Sequence, residues 1–293
     1  MISKIKNSLA YRLPILYRHL IGMTVAFRKK YPAKAETDTY HLVILTGSTQ
    51  LNMLNVCLKS IYDNFKQLPH IYIITDQALS APTCKKAIHW FPESNVTVID
   101  ALTCIAYHEK KGNHLIKQFA LKNPMGLKLA AILQVVDLGK PALYSDTDVI
   151  WYNDPIANLV KFLDIPHFHL ALSADFQAAY DNNLIDNCNL TELNKEPYFC
   201  AGILFVNKLT EKYYSVIDNL LPAVIQKSNH FSEQTIFALL NKQGGNFCLD
   251  KNRFLIELND RLDFFPLKNK EVIARHYIGP IRHLFWRDTI FNS

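Results

Sequence analysis

The sequence predicts an α/β fold in which a mixed, mainly parallel sheet is flanked by helices on both faces. Short apolar runs alternate along the chain with segments whose apolar residues recur at helical spacing. The 293 residues, of which 49% are hydrophobic, suffice to bury a large core. No linker-like stretch divides them. We therefore expect one domain over residues 37–293, preceded by a basic amphipathic segment over residues 1–36.

The first half of the chain carries the clearest elements. Residues 41–45 form an apolar run that ends in Thr46, Gly47 and Ser48, as a buried strand entering a loop does. The other predicted strands lie at 70–75 and 96–99 and from 141 onward, and the predicted helices at 50–65, 78–90 and 125–138.

The second half is less regular. A strand is expected at 169–175, and a loop leading into a strand at 198–207. A helix is expected from residue 231, with Ser232 as its N-cap.

The positive charge is concentrated in the N-terminal segment. Residues 1–35 contain eight basic and no acidic side chains, whereas the other 258 residues carry 24 basic and 26 acidic ones. The near-neutral body argues against a broad nucleic-acid-binding face. Two interpretations of the segment stay open: it contacts an anionic membrane surface peripherally, or it forms a helix that packs on the domain.

The six cysteines show neither a Cys-x-x-Cys pair nor any other spacing typical of metal sites. The basic N-terminal segment lacks the features of a signal peptide, and its longest uncharged apolar run is too short to span a bilayer. We therefore expect reduced thiols in a cytoplasmic protein, with peripheral attachment to the inner face of a membrane as an open alternative.

Asp146 and Asp148 are the most informative pair in the sequence. They interrupt an apolar stretch over residues 142–151, and a turn between them would direct both carboxylates into one pocket. Buried carboxylates need a cation or hydrogen-bond donors, and two hard oxygen ligands suit Mg²⁺ or Mn²⁺. The alternative is a solvated surface turn, which the same pattern often marks.

Three polar residues directly follow predicted strands: Thr46, Asp76 and Asp146. In open α/β sheets, ligands bind beyond the carboxyl ends of the strands. We therefore expect these residues at one edge of the sheet, around a single pocket.

Five motifs in order give the chain a family resemblance over residues 40–287. They are the strand and loop at 42–49, Lys128, the acidic pair with Ser145, the dipeptide Ala201-Gly202 together with Glu233-Gln234, and residues 276–279. The sequence resembles the nucleotide-sugar-dependent glycosyltransferases of the GT-A fold, especially the retaining family-eight group that includes glycogenin and bacterial galactosyltransferases. The resemblance implies transfer of a sugar from a nucleotide-diphosphate sugar, for which we expect a UDP-sugar, to an acceptor of unknown class.

The resemblance also implies roles for individual residues. Asp146, Asp148 and His276 would hold Mn²⁺ or Mg²⁺, which bridges the diphosphate of the donor. Glu233 and Gln234 would lie under the reacting sugar carbon. The other residues expected to bind the donor or lie close to its sugar are Thr46, Gly47, Asp76, Lys128, Asp175, Ala201, Gly202 and Gly279.

Two departures from the family pattern are visible. Cys200 stands where the family often has Asn, and Arg282 stands where it usually has Lys. Arg still neutralises phosphate, as a planar fork of donors. We expect Arg282 to bind the donor, and sugar recognition near Cys200 to differ from that of the family.

Several alternatives remain open at the level of sequence. Retention is expected on family grounds only, and inversion with Glu233 or Asp175 as general base is the other outcome. His276 has the alternative of an ordinary buried histidine, and Lys128 that of an exposed helix residue. A GT-A-like scaffold without turnover, or a phosphohydrolase with an Asp-x-Asp nucleophile, are the competing functions.

Overall fold

A computed structural model of the protein describes residues 12, 16–18, 20, 24–25, 27–263, 265–266 and 270–292. A seven-stranded sheet forms the centre of the molecule, with strand order β3-β2-β1-β4-β7-β6-β8. Its strands are β1 (Glu36–Thr46), β2 (Leu68–Thr75), β3 (Val96–Ile99), β4 (Ala142–Ser145), β6 (Leu170–Asp175), β7 (Tyr198–Val206) and β8 (Cys248–Leu249). Strands β1 to β4 pair in parallel, whereas β7 is antiparallel to both β4 and β6, as a mixed and mostly parallel sheet requires.

A small second sheet lies at the edge where the acidic pair emerges. Its strands β5 (Val149–Trp151), β9 (Phe254–Leu255) and β10 (Ala274–His276) have the order β5-β10-β9. Because β10 runs antiparallel to β5, His276 is paired with Val149, the first residue after the acidic pair. This register brings His276 next to the turn that carries Asp146 and Asp148.

Helices cover both faces of the large sheet, and each face has its own buried apolar cluster. The helices are α1 (Leu51–Asn64), α2 (Ala81–Ala87), α3 (Ala101–Lys110), α4 (His114–Lys122), α5 (Pro124–Val136), α6 (Ile156–Leu163), α7 (Asn182–Cys188), α8 (Glu211–Gln226), α9 (Ser232–Gly244) and α10 (Arg282–Asn292). The predicted α/β class is confirmed. Four of the cysteines are buried free thiols: Cys57, Cys84, Cys104 and Cys200.

Local sequence signals explain how α5 begins. The Asn123 side chain accepts a hydrogen bond from the Met125 amide at 2.9 Å, and Pro124 occupies the first helical position. Nearly every residue of α5 is buried, including Lys128. This helix therefore carries a cation into the interior, and the exposed alternative for Lys128 is wrong.

The start of α9 differs from the prediction. Ser232 is the first helical residue and not the N-cap, which is Phe231. The Ser232 hydroxyl donates instead to Asp181 at 2.6 Å and accepts from the Asn229 amide at 2.9 Å. A tertiary contact with Asp181, the N-cap of α7, thus takes up the hydroxyl that a capping role would use.

About half of the basic segment over residues 1–36 lies outside the described residues. Those described there at positions 12, 16–18, 20 and 24–25 are helical, and β1 begins at Glu36. Of the helices that the structure describes, none is both long enough and apolar enough to cross a membrane.

Candidate active site

Asp146 and Asp148 lie on a turn between β4 and β5, at the carboxyl edge of the large sheet. The Asp146 amide donates to the Gly202 carbonyl at 2.8 Å, and the Tyr277 amide donates to the Asp148 carbonyl at 2.9 Å. These backbone bonds tie the turn to β7 on one side and to the end of β10 on the other. The turn therefore has the conformation that the sequence predicted, with both carboxylates on one side.

His276 completes a three-ligand cluster. Its Nε2 lies 3.3 Å from Asp148 Oδ1 and 3.6 Å from Asp146 Oδ2, and one ligand atom from each residue falls within 4.8 Å of the others. Two carboxylate oxygens and one imidazole nitrogen match the donor set of Mn²⁺, and Mg²⁺ accepts the oxygens. The residues present therefore fit a divalent cation.

The ring of His276 is packed against β7. A Cβ on Gly202 would lie 2.1 Å from His276 Cε1, so only glycine allows the ring this position. Cys200, two residues earlier on the same strand, has its Sγ 3.6 Å from His276 Nδ1. The thiol thus contacts Nδ1, which leaves Nε2 directed at the two carboxylates.

A buried ion pair lies next to the acidic turn. Lys128 Nζ is 3.0 Å from Glu233 Oε1 and 3.5 Å from Asp146 Oδ1, and it lies 4.5 Å from the centre of the Tyr144 ring. Burial alone would lower the pKa of Lys128, but the two carboxylates outweigh it and raise the pKa above its ordinary value. Lys128 is therefore a permanent cation at this site.

Glu233 has the opposite balance. Its burial raises the pKa of the carboxyl group above the ordinary value, and Lys128 offsets only part of that rise. Glu233 Oε2 is buried and has no hydrogen-bond partner among the described residues. A buried, unpaired carboxylate oxygen is costly, and such atoms occur where a ligand supplies the missing partner.

Arg282 contacts Asp148 Oδ2, whereas His276 faces Asp148 Oδ1. Burial alone would raise the pKa of Asp148, but His276 and Arg282 hold it below its ordinary value. The side chain of Arg282 is 52% exposed. It thus reaches from the solvent side onto a buried carboxylate.

These groups face one cavity of about 550 Å³, a size typical of small-ligand sites. Asp175 also lines it, and burial raises the pKa of this carboxyl group. The residues predicted for the site that line the cavity are Lys128, Asp146, Asp148, Asp175, Gly202, Glu233, Gln234, His276, Gly279 and Arg282.

Four residues from the prediction lie outside the lining of this cavity: Thr46, Gly47, Asp76 and Ala201. Gly47 and Asp76 are close neighbours, because a Cβ on Gly47 would lie 2.2 Å from Asp76 Oδ2. The loop they form adjoins the cavity through Leu45 and Gln50, which do line it. The expected edge of the sheet is therefore correct.

Gln234 has a different environment from Glu233. Its Oε1 accepts a hydrogen bond from the Ala201 amide at 3.0 Å, and its Nε2 donates to the Ala179 carbonyl at 2.7 Å. Both ends of the amide are thus bound to backbone. The side chain joins β7 to the loop after β6, and this loop forms one wall of the cavity.

The sequence prediction missed Tyr144 and the aromatic wall of the cavity. The Tyr144 hydroxyl donates to Asp146 Oδ1 at 2.6 Å. Its position two residues before Asp146, on the same strand face, was a usable signal. Phe176, His230 and Phe231 line the cavity from loops, where spacing gives no such signal.

The fold and the site together define a glycosyltransferase of the GT-A fold that uses a nucleotide sugar. The family model described as nucleotide-diphospho-sugar transferase matches residues 99–259, more than half of the chain, so the chain belongs to that family. No curated protein sequence matches it.

Solved structures support the fold. Mouse xyloside xylosyltransferase 1 is similar at a TM-score of 0.57 and 13% identity, over 83% of this chain and 98% of that one. The bifunctional glycosyltransferase WbbM is similar at a TM-score of 0.56 and 15% identity, over 90% of this chain and 51% of that one. The galactosyltransferase LgtC was solved with donor and acceptor sugar analogues. It is similar at a TM-score of 0.51 and 14% identity, over 82% of this chain and 87% of that one. At these identities the likeness concerns the fold alone.

Proposed function

We propose that the protein transfers a sugar from a UDP-sugar to an acceptor hydroxyl, with Mn²⁺ or Mg²⁺ at Asp146, Asp148 and His276. The observation that carries the proposal is the position of these three residues beside the buried Lys128–Glu233 pair in one cavity. A purely structural ion pair would not explain why Glu233 Oε2 is buried without a hydrogen-bond partner among the described residues. The shared cavity supports a site that holds the diphosphate and the sugar together.

The site must neutralise the negative charge that develops on the leaving nucleotide diphosphate. When bound, the cation supplies Lewis-acid stabilisation to the developing diphosphate charge. Arg282, whose side chain is 52% exposed, is proposed to move from Asp148 onto the phosphates. Lys128 stays charged and fixed, and it adds a second positive charge from the interior side.

Glu233 is the group proposed to act on the reacting carbon. The anomeric centre becomes oxocarbenium-like during glycosyl transfer, and Glu233 Oε2 provides an unpaired carboxylate oxygen to stabilise it. We propose retention of configuration, consistent with the family resemblance. Asp175 also lines the cavity and is the candidate for contact with the donor sugar.

Other donor contacts are proposed for the residues around this core. Thr46, Gly47 and Asp76 form the neighbouring loop and would contact the base and ribose, reached past Gln50. Gly279 has open space where a Cβ would be, which supports close approach of the diphosphate to its backbone. Cys200 and Gly202 would act through the position of His276, and Ala201 is proposed to lie against the donor.

Donor hydrolysis tests the proposal without knowledge of the acceptor. The protein is incubated with UDP-, GDP-, ADP- and CMP-sugars in Mn²⁺ or EDTA, and proton NMR follows nucleotide release and the anomer of the freed sugar. We expect slow release from one UDP-sugar, with the α-anomer retained, that is lost in EDTA and in Asp148→Ala. Asp38→Ala, which changes an exposed aspartate outside the cavity, is the matched control. Absence of release from every donor, with the control folded, would contradict turnover and favour a scaffold.

A further inference from the structure

The N-terminal segment presents apolar side chains to the outside of the molecule. Leu16 is 63% exposed, Leu20 54% and Phe27 86%. Arg12, Leu16 and Leu20 have the four-residue spacing of one helix face, and all three positions are helical and exposed. Val25, on the opposite side, is 6% exposed and packs in the apolar cluster of the body.

The arrangement differs from that of an ordinary surface helix in water. Such a helix buries its apolar side and shows polar residues outward, but here leucines point outward as well. Exposed apolar residues that cluster mark interaction surfaces, whereas isolated ones carry no information. Leu16, Leu20 and Phe27 lie within twelve residues of chain, and Leu16 and Leu20 are one helical turn apart, so we consider them together as one apolar surface.

Charge indicates the kind of partner. The first 35 residues contain eight basic side chains and no acidic one, and Arg12 and Lys29 are exposed beside the apolar residues. An apolar surface with basic side chains at its margin fits the boundary between headgroups and acyl chains of an anionic bilayer. A second copy of this chain would bring two such positive surfaces together, which is electrostatically unfavourable.

The segment contacts the body of the protein at several of its described residues. Arg18 Nη2 donates to the Thr49 carbonyl at 3.4 Å, and Asn52 Nδ2 donates to the Arg18 carbonyl at 3.3 Å. Further along, Lys30 pairs with Glu93 at 3.0 Å, and Lys34 donates to the Phe65 carbonyl at 2.9 Å. The exposed apolar residues therefore have a defined place on the molecule.

That place adjoins the donor cavity. Thr49, which Arg18 contacts, lies in the short helix Ser48–Gln50, and Gln50 lines the cavity. A surface that engages the segment would therefore lie close to the rim of the cavity at Gln50.

We propose that Leu16, Leu20 and Phe27, with the basic side chains around them, dock the protein on an anionic membrane surface beside its catalytic cavity. The docking does not depend on the choice of donor or on turnover. It limits acceptors to molecules present at or in that surface.

Vesicle sedimentation of the full chain tests this. The probes are vesicles of phosphatidylcholine alone and vesicles of phosphatidylcholine mixed with phosphatidylglycerol. We expect binding to the anionic vesicles, weakened by high salt, and little binding to the neutral ones. The triple variant Leu16→Glu/Leu20→Glu/Phe27→Glu should bind anionic vesicles at least about tenfold more weakly, because it removes buried apolar area and adds repulsion.

The matched control is Leu102→Glu/Leu121→Glu/Leu138→Glu, which makes the same charge change at exposed leucines. The helices α3, α4 and α5 near these positions pack in the other apolar cluster, on the opposite face of the sheet from Val25. This control should bind as the wild type does. Both variants should keep the thermal shift given by UDP with Mn²⁺, which separates docking from the donor site.

Three results would overturn the proposal. They are no binding of the wild type to anionic vesicles, equal loss in the triple variant and the control, or light scattering that reveals a wild-type dimer which the triple variant abolishes. The last would assign the surface to a second copy of the chain.

Discussion

Arg282 donates two hydrogen bonds to one oxygen of Asp148, from Nε at 3.0 Å and from Nη2 at 2.8 Å. The other oxygen of Asp148 faces His276, the third residue of the cluster. A cation that binds this cluster therefore competes with Arg282 for the charge of Asp148. A guanidinium released in this way would be free to contact the phosphates of a donor, as proposed above.

Arg282→Gln should separate these two roles. We expect Mn²⁺ to bind the ligand-free protein more tightly, by at most about 1 kcal/mol, because the pair that is lost is partly exposed. Affinity for UDP in the presence of Mn²⁺ should fall by about 1.5–3 kcal/mol, since a charged donor to phosphate is removed. Calorimetric titration measures both. Arg253→Gln, which removes a partly exposed Arg–Asp pair outside the cavity, is the control and should change neither.

Gly202 and Gly279 should respond differently to alanine. In Gly202→Ala the new Cβ would overlap the ring of His276, so Mn²⁺ affinity of the ligand-free protein should fall at least about tenfold, as for loss of a ligand's support. Gly279→Ala meets open space and should leave Mn²⁺ binding and thermal stability unchanged while weakening UDP binding. Normal Mn²⁺ binding by Gly202→Ala would contradict the position of the ring.

Gln234 should prove structural rather than chemical. Gln234→Ala leaves the buried Ala201 amide without its acceptor, which costs about 1–3 kcal/mol and lowers the melting temperature. Donor hydrolysis per folded molecule should change less than in Glu233→Gln. Calorimetric melting and NMR hydrolysis rates provide the comparison. A stable Gln234→Ala protein with abolished hydrolysis would instead place this amide at the reacting carbon.

The pH profile of hydrolysis should reflect Glu233. Since burial raises the pKa of this group and the ionised form is the active one, activity should fall as pH decreases through a pKa above the ordinary range of a glutamate. Lys128 lowers this pKa, so Lys128→Met should move the acidic limb of the kcat profile to still higher pH. A limb that stays in place in Lys128→Met would show that another group titrates.

Local patterns predicted much of this molecule. The strand at 96–99 has the predicted bounds, and the turn at Asp146 and Asp148 lies at the predicted edge of the sheet, because period and turn chemistry are properties of neighbouring residues. The burial of Lys128 was not predictable from its helix alone. It depends on Glu233 and Asp146 arriving from other elements.

Contacts between distant parts of the chain escaped prediction for the same reason. Arg282 and Asp148 are 134 residues apart, and Cys200 and His276 are 76 apart. Sequence spacing carries no information on such pairs until the register of β10 against β5 is known. The two backbone hydrogen bonds of Gln234 likewise depend on how distant elements pack. The same holds for the aromatic side chains that line the cavity from loops.

The most direct test of the account is a thermal-shift measurement with UDP on the wild type and Asp148→Ala, each in Mn²⁺ and in EDTA. A ligand at 100 times its dissociation constant stabilises the folded state by about 2.7 kcal/mol. The account predicts a shift of that order for the wild type in Mn²⁺ only, and its loss in EDTA and in Asp148→Ala. An equal shift in all four samples, or none in any of them with the protein folded, would contradict a metal-dependent nucleotide site at Asp146, Asp148 and His276.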